Sequence, residues 1–280
     1  MRDKRDLLVG GSQNPMEMNI LIFGDIFGKP GRRGLQAWLP ELRKETHADL
    51  VIANAENLAH GMGVTQTTLQ ECLDAGVDIF TGGNDMWTKP EVEMLLASQS
   101  QRLLRPANYP PDTPGSGYIV LEVGTKKIFI ISLLGRVFMQ PHLDCPFRTA
   151  DNLLKKYHAQ FTAILVDIHA EATSEKVALG HYLDGRVTLV YGTHTHVPTA
   201  DMRILPQGTA YCTDVGFSGP KNSVIGVDTN VILTKFLTQR PKAHTIPESG
   251  VVEMNCLHLV CDRDTGKALR LTRLYREITF

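Results

Sequence analysis

The stretch Val187-Thr188-Leu189-Val190-Tyr191-Gly192-Thr193-His194-Thr195-His196 joins an apolar run directly to two histidines. The run is short and rich in β-branched residues, which is typical of a buried strand. His194 and His196 are two positions apart, and in an extended chain such side chains point to the same side. Two imidazoles placed just beyond a strand end can bind one metal ion together or one ion each.

Four other apolar runs predict strands that are also followed by potential metal ligands. They span residues 19–23, 49–53, 77–80 and 164–168. In open α/β sheets, ligands bind beyond the carboxyl ends of the strands. Each ligand alone has an ordinary explanation as a turn residue, a cap or a structural histidine, but together they predict one functional site. The residues that follow these strands are Asp25, Glu56, Asn57, Asn84, Asp85 and His169.

Helical patterns alternate with the first strands, which predicts parallel strands covered by helices. These helices are expected at residues 30–45 and 67–75, from Pro90 onward, and at 170–181. Two predicted hairpins add antiparallel strands, one at residues 118–132 and one at 251–274. We therefore predict an α/β fold of the αββα type, a two-sheet sandwich with the site at the carboxyl ends of the strands.

Residues 18–280 are predicted to form a single domain. Residues 1–17 are polar and lack the apolar middle of a secretory signal, so we expect a disordered leader or an extended start. The proline-rich residues 106–114 are expected to form a long surface loop that acts as a lid or a subunit contact.

The composition excludes several classes of protein. A net charge of -1 among 280 residues gives no basic surface for nucleic acid. No stretch approaches the roughly 18 apolar residues of a membrane span, so no membrane association is expected. The five cysteines form no CxxC pair, which indicates reduced thiols in the cytoplasm.

The ligand types narrow the chemistry of the site. Imidazoles, carboxylates and amide oxygens without a thiolate suit Mn, Fe, Zn or Co better than Ca or Cu(I). Six or seven such ligands are too many for one tetrahedral zinc. They suit two metal ions about 3.5–4 Å apart that share a carboxylate, activate water and neutralise a phosphate.

Five motifs in this chain resemble those of the calcineurin-like metallophosphoesterases, and within them the bacterial YmdB-like phosphodiesterases. The resemblance covers about residues 18–280. The last two motifs are long and specific. The motifs are Gly24-Asp25-Ile26-Phe27-Gly28, Ala55-Glu56-Asn57, Gly83-Asn84, Asp167-Ile168-His169-Ala170-Glu171-Ala172-Thr173-Ser174-Glu175-Lys176, and Gly192-Thr193-His194-Thr195-His196-Val197-Pro198-Thr199-Ala200-Asp201.

The resemblance implies a role for each matching residue in a metallophosphoesterase-like fold. The first metal would be held by Asp25, Glu56 and His196, with Asn57 close to it. The second metal would be held by Glu56, Asn84, His169 and His194. Glu56 would bridge both metals, where most metallophosphoesterases have Asp.

The same resemblance implies a dinuclear-metal phosphodiesterase that hydrolyses cyclic nucleotides of the 2′,3′-cAMP type with an activated hydroxide. Iron or manganese would be the metals, with Zn, Co or Mg as alternatives, and the chain would form a homo-oligomer. RNA ends are a further substrate class, although the near-neutral charge disfavours a nuclease. The alternative is a metal-stabilised nucleotide-binding regulatory protein with little turnover.

One position departs from the family pattern. The family has Gly-Asn-His where this chain has Gly83-Asn84-Asp85, and that His is placed to protonate the leaving oxygen. A free Asp has a pKa of about 3.9 and two nearby cations lower it further, so Asp85 is a poor acid at neutral pH. The substitution predicts a slowed enzyme. His60 could supply the proton instead, and Arg136 could hold the phosphate.

Overall fold

The computed structural model describes residues 14–98, 102–157 and 161–280. The predicted leader falls mostly outside these residues, and within them Glu17 already belongs to the first strand. The strands are, in chain order, β1 (Glu17–Asp25), β2 (Leu50–Asn54), β3 (Ile79–Thr81), β4 (Tyr118–Val123), β5 (Lys126–Leu134), β6 (Ala163–His169), β7 (Leu189–Thr193), β8 (Arg203–Ile204), β9 (Ala210–Cys212), β10 (Gly219–Pro220), β11 (Val251–Asp262) and β12 (Ala268–Thr279).

The helices occupy the predicted positions and two further ones. A single 3₁₀ turn, Asp85–Thr88, follows β3. The predicted helix from Pro90 begins at Val92, and sequence patterns did not predict the fourth and sixth helices. The helices are α1 (Gly28–Glu45), α2 (Gln66–Ala75), α3 (Val92–Ser98), α4 (Pro146–Lys156), α5 (Thr173–Tyr182) and α6 (Thr229–Thr238). None of them, in the described part of the chain, combines the length and apolarity that crossing a membrane requires.

The strands form two mixed sheets. In the first sheet, β1, β2 and β3 are parallel neighbours, while β11 pairs antiparallel with β1, β10 and β12. In the second sheet, β5, β6, β7 and β9 are parallel neighbours, and β4 and β8 pair antiparallel at its two edges. Both predicted hairpins are present, as β4–β5 and β11–β12.

Alternation along the strands places apolar side chains on both faces of each sheet. In β1, Ile20 and Ile22 face the second sheet, whereas Leu21 and Phe23 face α1. The layer between the sheets is filled from both sides by residues of β1, β2, β5, β6 and β7. A separate cluster lies between the second sheet and helices α4 and α5. The order is therefore helix, sheet, sheet, helix, which confirms the predicted αββα sandwich.

The proline-rich residues 106–114 differ from the predicted surface loop. The side chain of Asn108 is buried, and its amide bonds the backbone N–H and carbonyl of Leu134 and the carbonyl of Asp144 at 2.8–2.9 Å. The backbone N–H of Ala107 donates to Ser132 at 2.7 Å. The first half of this segment is therefore fixed against the carboxyl end of β5.

We predict that truncation within the layer between the sheets destabilises the fold strongly. Ile130 of β5 is fully buried there, so Ile130→Ala should lower the free energy of unfolding by about 2–5 kcal/mol. Val120 on the neighbouring β4 is 40% exposed, and Val120→Ala should change it by roughly 0.5 kcal/mol. Urea unfolding of both variants measures the difference, and equal losses would contradict the assignment of this layer as the core.

Candidate metal centre

The residues expected at the site come from five strand ends, which meet at one edge of the sandwich. In the first sheet, Asp25 ends β1, Glu56 and Asn57 follow β2, and Asn84 and Asp85 follow β3. In the second sheet, His169 ends β6, while His194 and His196 follow β7. The topology makes this convergence necessary, because these strands run parallel within each sheet.

Glu56 and two histidines form the tightest cluster of the site. The Oε1 atom of Glu56 lies 2.8 Å from Nε2 of His169 and 4.0 Å from Nδ1 of His194. The same two ring nitrogens are 3.1 Å apart. One atom from each of the three residues fits within 4.8 Å of the others, a spacing that could hold a metal ion. Glu56 and His169 are buried, and His194 is partly exposed.

A second group lies beside this cluster. Nε2 of His196 is 3.2 Å from Oδ1 of Asn57 and 3.9 Å from Oδ1 of Asp25. The Asp25 Oδ1 atom is buried and accepts no hydrogen bond from the described residues. Its other oxygen accepts the backbone N–H of His194 at 3.1 Å. An unpaired buried carboxylate oxygen is costly, and a cation would satisfy it.

Asn84 and Asp85 complete the first sheet's side of the site. The Nδ2 atom of Asn84 donates to Oδ1 of Asp85 at 2.9 Å, which leaves the buried Oδ1 of Asn84 without a partner among the described residues. The backbone N–H of Asp85 donates to Oε2 of Glu56 at 3.1 Å. Asp85 therefore orients both an amide and a carboxylate of the site.

Two of the imidazoles have one ring nitrogen held by the protein and the other facing the site. Nδ1 of His196 lies 3.0 Å from the Ile225 carbonyl, which can only accept a hydrogen bond. Nδ1 of His169 lies 2.9 Å from Oγ1 of Thr193, and that hydroxyl donates to Asp167. In both rings Nδ1 is therefore the donor and Nε2 faces the site. Metal-binding histidines characteristically have such outer partners.

The third imidazole is held less tightly. Nε2 of His194 lies 3.3 Å from Oε2 of Glu171, whose side chain is half-exposed. Its Nδ1 atom faces His169 and Glu56. His169 and His194 therefore each turn one nitrogen toward Glu56, while His196 turns its Nε2 toward Asn57 and Asp25.

The electrostatics of the site favour a positive charge. Burial opposes charge on both Glu56 and His169, but their mutual attraction outweighs it. The imidazoles of His169 and His194 bring the pKa of Glu56 well below its usual value. Glu56 and Asp25 raise the pKa of His169 to about 9, although burial alone would lower it. A buried set of carboxylates that stabilises imidazolium this strongly also suits a metal cation.

A glycine is required where the chain crosses this cluster. A Cβ atom on Gly83 would lie 2.1 Å from Oε2 of Glu56 and 2.3 Å from Nε2 of His169. Real Cβ atoms do not come this close to other heavy atoms, so a larger residue would displace the carboxylate or the imidazole.

We call His194 and His196 the histidine pair. Sequence reasoning did not predict the residues that support this pair. Both residues of the pair have positive φ, 96° and 64°, a region that non-glycine residues rarely adopt. Thr195 between them donates its backbone N–H and its hydroxyl to Oδ2 of Asp214, at 3.2 and 2.7 Å. Lys176 donates to the same oxygen and to the Thr193 carbonyl, each at 2.7 Å.

This support is a buried ion pair, because Lys176 and Asp214 are both inaccessible to solvent. Lys176 is the last residue of the motif that begins at Asp167. From the sequence alone, a lysine in a helix such as α5 is expected to be solvated. Asp214 lies in the loop after β9 and belongs to none of the sequence motifs. The ion pair holds the turn that aims the histidine pair.

Two residues expected to contact substrate lie apart from the cluster. Arg136 is exposed, and its backbone makes the hydrogen bonds: its N–H donates to Glu175 at 3.0 Å and its carbonyl accepts from the N–H of Met139. His60 is exposed in the turn after β2, with a φ of 58°. No contact among the described residues joins either side chain to the carboxylates and imidazoles of the site.

Comparison with known proteins identifies the relatives of this chain. The model of the family described as YmdB-like protein matches residues 21–274. The 2′,3′-cyclic-nucleotide 2′-phosphodiesterase of Bacillus subtilis (strain 168) is 42% identical over 257 residues, which cover 92% of this chain and 96% of that protein.

Solved structures confirm the fold. A hypothetical protein from Thermus thermophilus superposes with a TM-score of 0.87 at 43% identity, over 93% of this chain and 99% of that one. A 5′-nucleotidase described as putative, from Staphylococcus aureus, has a TM-score of 0.62 at 15% identity, over 92% of this chain and 54% of that one. The second likeness concerns the fold alone.

We predict that the buried ion pair stabilises the fold. Lys176→Met leaves Asp214 charged and uncompensated, so the free energy of unfolding should fall by about 3–5 kcal/mol. Arg43→Met is a matched control, because Arg43 likewise donates to a carbonyl and to a carboxylate, those of Gly76 and Asp78. That pair is one-third exposed, so its loss should cost roughly 1 kcal/mol or less. Chemical unfolding measures both, and similar losses would refute the role of burial.

Proposed function

The chain belongs to the YmdB-like protein family, and on that premise we propose that it is a dinuclear-metal phosphodiesterase that hydrolyses cyclic nucleotides of the 2′,3′-cAMP type. One observation carries the metal centre. Three imidazoles each turn a ring nitrogen toward Glu56 or Asp25, two buried carboxylates, and two oxygens there have no partner among the described residues. The name of the Bacillus subtilis relative supports the substrate class.

The proposed ligand sets follow the two groups of contacts. Asp25, Glu56 and His196 would hold one metal, with the Asn57 amide beside it. Glu56, His169 and His194, together with the unpaired oxygen of Asn84, would hold the other. When bound, two such ions supply Lewis-acid activation of water and neutralise the charge of the phosphodiester.

The protein's own contribution is to preorganise these groups. Glu56 is fixed by Asp85 and His169 before any substrate arrives. Asn57 is fixed by its bond to the Gly61 carbonyl at 3.0 Å, with Oδ1 turned to the site. Preorganised ligands need little rearrangement when charge develops in the transition state.

Several finer features of this proposal rest on the resemblance and the donor set. Iron or manganese are the proposed native metals, because the site offers imidazole and oxygen ligands without a thiolate. Assembly into a homo-oligomer, a cytoplasmic location and action on RNA ends are predictions of the same kind. Arg136 and His60 are retained only as residues near the rim that a bound substrate could reach.

Asp85 favours a second candidate function, a metal-stabilised nucleotide-binding protein with little turnover. Burial and the charge of Glu56 raise the pKa of Asp85, but its carboxylate already accepts a hydrogen bond from Asn84. Because of this hydrogen bond, Asp85 positions Asn84 rather than serving as a free proton donor. Kinetics of manganese-loaded protein on 2′,3′-cAMP and bis-p-nitrophenyl phosphate separate the two functions. Tight nucleotide binding without hydrolysis of either substrate would favour the second.

We predict that removal of the Glu56 carboxylate abolishes the metal centre. Glu56→Ala should reduce bound metal from two ions per chain and lower kcat by at least about 10³-fold, since both ions would lose a shared ligand. Elemental analysis after gel filtration measures the stoichiometry. Glu171→Ala is the control, because this exposed carboxylate contacts only the outer nitrogen of His194. Retention of two ions in Glu56→Ala would contradict the bridging role.

We predict that Asp85→His speeds the reaction. An imidazole has a pKa near neutrality and can protonate the leaving oxygen, so kcat on 2′,3′-cAMP should rise by up to about 10²-fold. Metal content should stay at two ions per chain. Asp85→Asn is the control, because it keeps an oxygen that can accept from Asn84 but adds no acid. A rate that is unchanged or lower in Asp85→His would contradict the acid role of this position.

A further inference from the structure

Several buried polar atoms near the metal centre have no hydrogen-bond partner among the described residues. Two of them, on Asp25 and Asn84, are the proposed metal ligands. The indole Nε1 of Trp87 and the hydroxyl of Tyr109 also have no partner among the described residues other than each other, and the metal ligand sets do not account for them. A buried donor without a partner destabilises a protein, so native structures retain few of them. These two therefore call for a polar ligand.

Trp87 joins both donors to the 3₁₀ turn that Asp85 begins. The ring of Tyr109 packs against that of Trp87, with centroids 5.3 Å apart and planes inclined by 57°. Burial raises the pKa of Tyr109, the hydrogen bond with the Trp87 indole lowers it, and the charges of Glu56 and Asp85 raise it. The hydroxyl therefore lies within the field of the carboxylates that border the proposed second metal.

The backbone that carries Tyr109 is fixed rather than mobile. Its neighbour Asn108 is anchored to Leu134 and Asp144 by three hydrogen bonds of 2.8–2.9 Å. The buried guanidinium of Arg105 donates to the carbonyls of Pro106, Thr113 and Pro114, which brings both ends of the segment together. These hydrogen bonds anchor the backbone on both sides of Tyr109.

We propose that the Tyr109 hydroxyl donates a hydrogen bond to the leaving oxygen of the scissile phosphodiester. This inference rests on the proposed phosphodiesterase function. The resemblance places Asp85 where the family's histidine would reach that oxygen, and the Asp85 carboxylate is already engaged by the Asn84 amide. Tyr109 supplies the missing donor beside it. The hydroxyl keeps its proton, and the leaving oxygen takes its proton from water after the P–O bond breaks.

Tyr109→Phe tests the proposal, because it removes the hydroxyl and keeps the ring against Trp87. On 2′,3′-cAMP, whose leaving group is a ribose hydroxyl, kcat should fall by about 10²-fold. On bis-p-nitrophenyl phosphate the fall should be within about 3-fold, because p-nitrophenolate is a stable anion and gains little from a hydrogen-bond donor. The assays use full-length protein loaded with Mn²⁺.

Two further measurements exclude a merely structural role. Tyr109→Phe should retain two Mn²⁺ per chain and a melting temperature close to that of the wild type, since the lost hydroxyl has no partner within the described chain other than the Trp87 indole. Tyr118→Phe is the matched control, because its hydroxyl bonds that of Tyr157 at 2.9 Å. The control should leave kcat on both substrates unchanged.

The outcomes distinguish this proposal from the function on which it rests. If manganese-loaded wild type hydrolyses neither substrate, the phosphodiesterase function is wrong. If wild type hydrolyses both, an unchanged kcat in Tyr109→Phe, an equal loss on the two substrates, or a loss of metal would overturn the role of Tyr109 at the leaving oxygen.

Discussion

A buried carboxylate at the junction of the two sheets determines how this site is built. Glu56 comes from the first sheet, and its charge would be prohibitively costly in the interior without partners. Those partners, His169 and His194, come from the second sheet. The sheets must therefore pack with their carboxyl edges together, or the charge is left uncompensated. The fold places the ligands, and the ligands in turn favour this one packing of the sheets.

Much of this arrangement could be predicted from the sequence, because it depends on local patterns. Short apolar runs mark buried strands, and the parallel order of those strands brings their ends to one edge. Residue types at those ends, above all the histidine pair, then indicate a metal centre. The boundaries of the strands and helices were less predictable. His169 ends β6 rather than following it, and α6 exposes Leu233, Phe236 and Leu237, so its apolar residues do not form one buried face.

The supporting residues could not be predicted, because distant parts of the chain bring them together. Asp214 is 38 positions from Lys176 and 19 from Thr195, and no periodic pattern links them. The proline-rich residues 106–114 have the composition of a surface loop. Their first half is held inward by Asn108, whose side chain bonds two backbone groups of Leu134 at the end of β5 and the carbonyl of Asp144. A single polar side chain of this kind converts a segment of loop composition into part of the site.

An aspartate at position 85, where the resemblance predicts a histidine, has consequences beyond a weaker acid. Asp85 accepts from Asn84 and donates its backbone N–H to Glu56, so it serves the ligands on both sides. A carboxylate suits that task because it can accept several hydrogen bonds, but it cannot also donate to a leaving oxygen. Positioning of ligands and donation of a hydrogen bond are then best divided between two residues. The hydroxyl of Tyr109, whose ring packs against Trp87 in the turn that Asp85 begins, is the group that we propose for the second task.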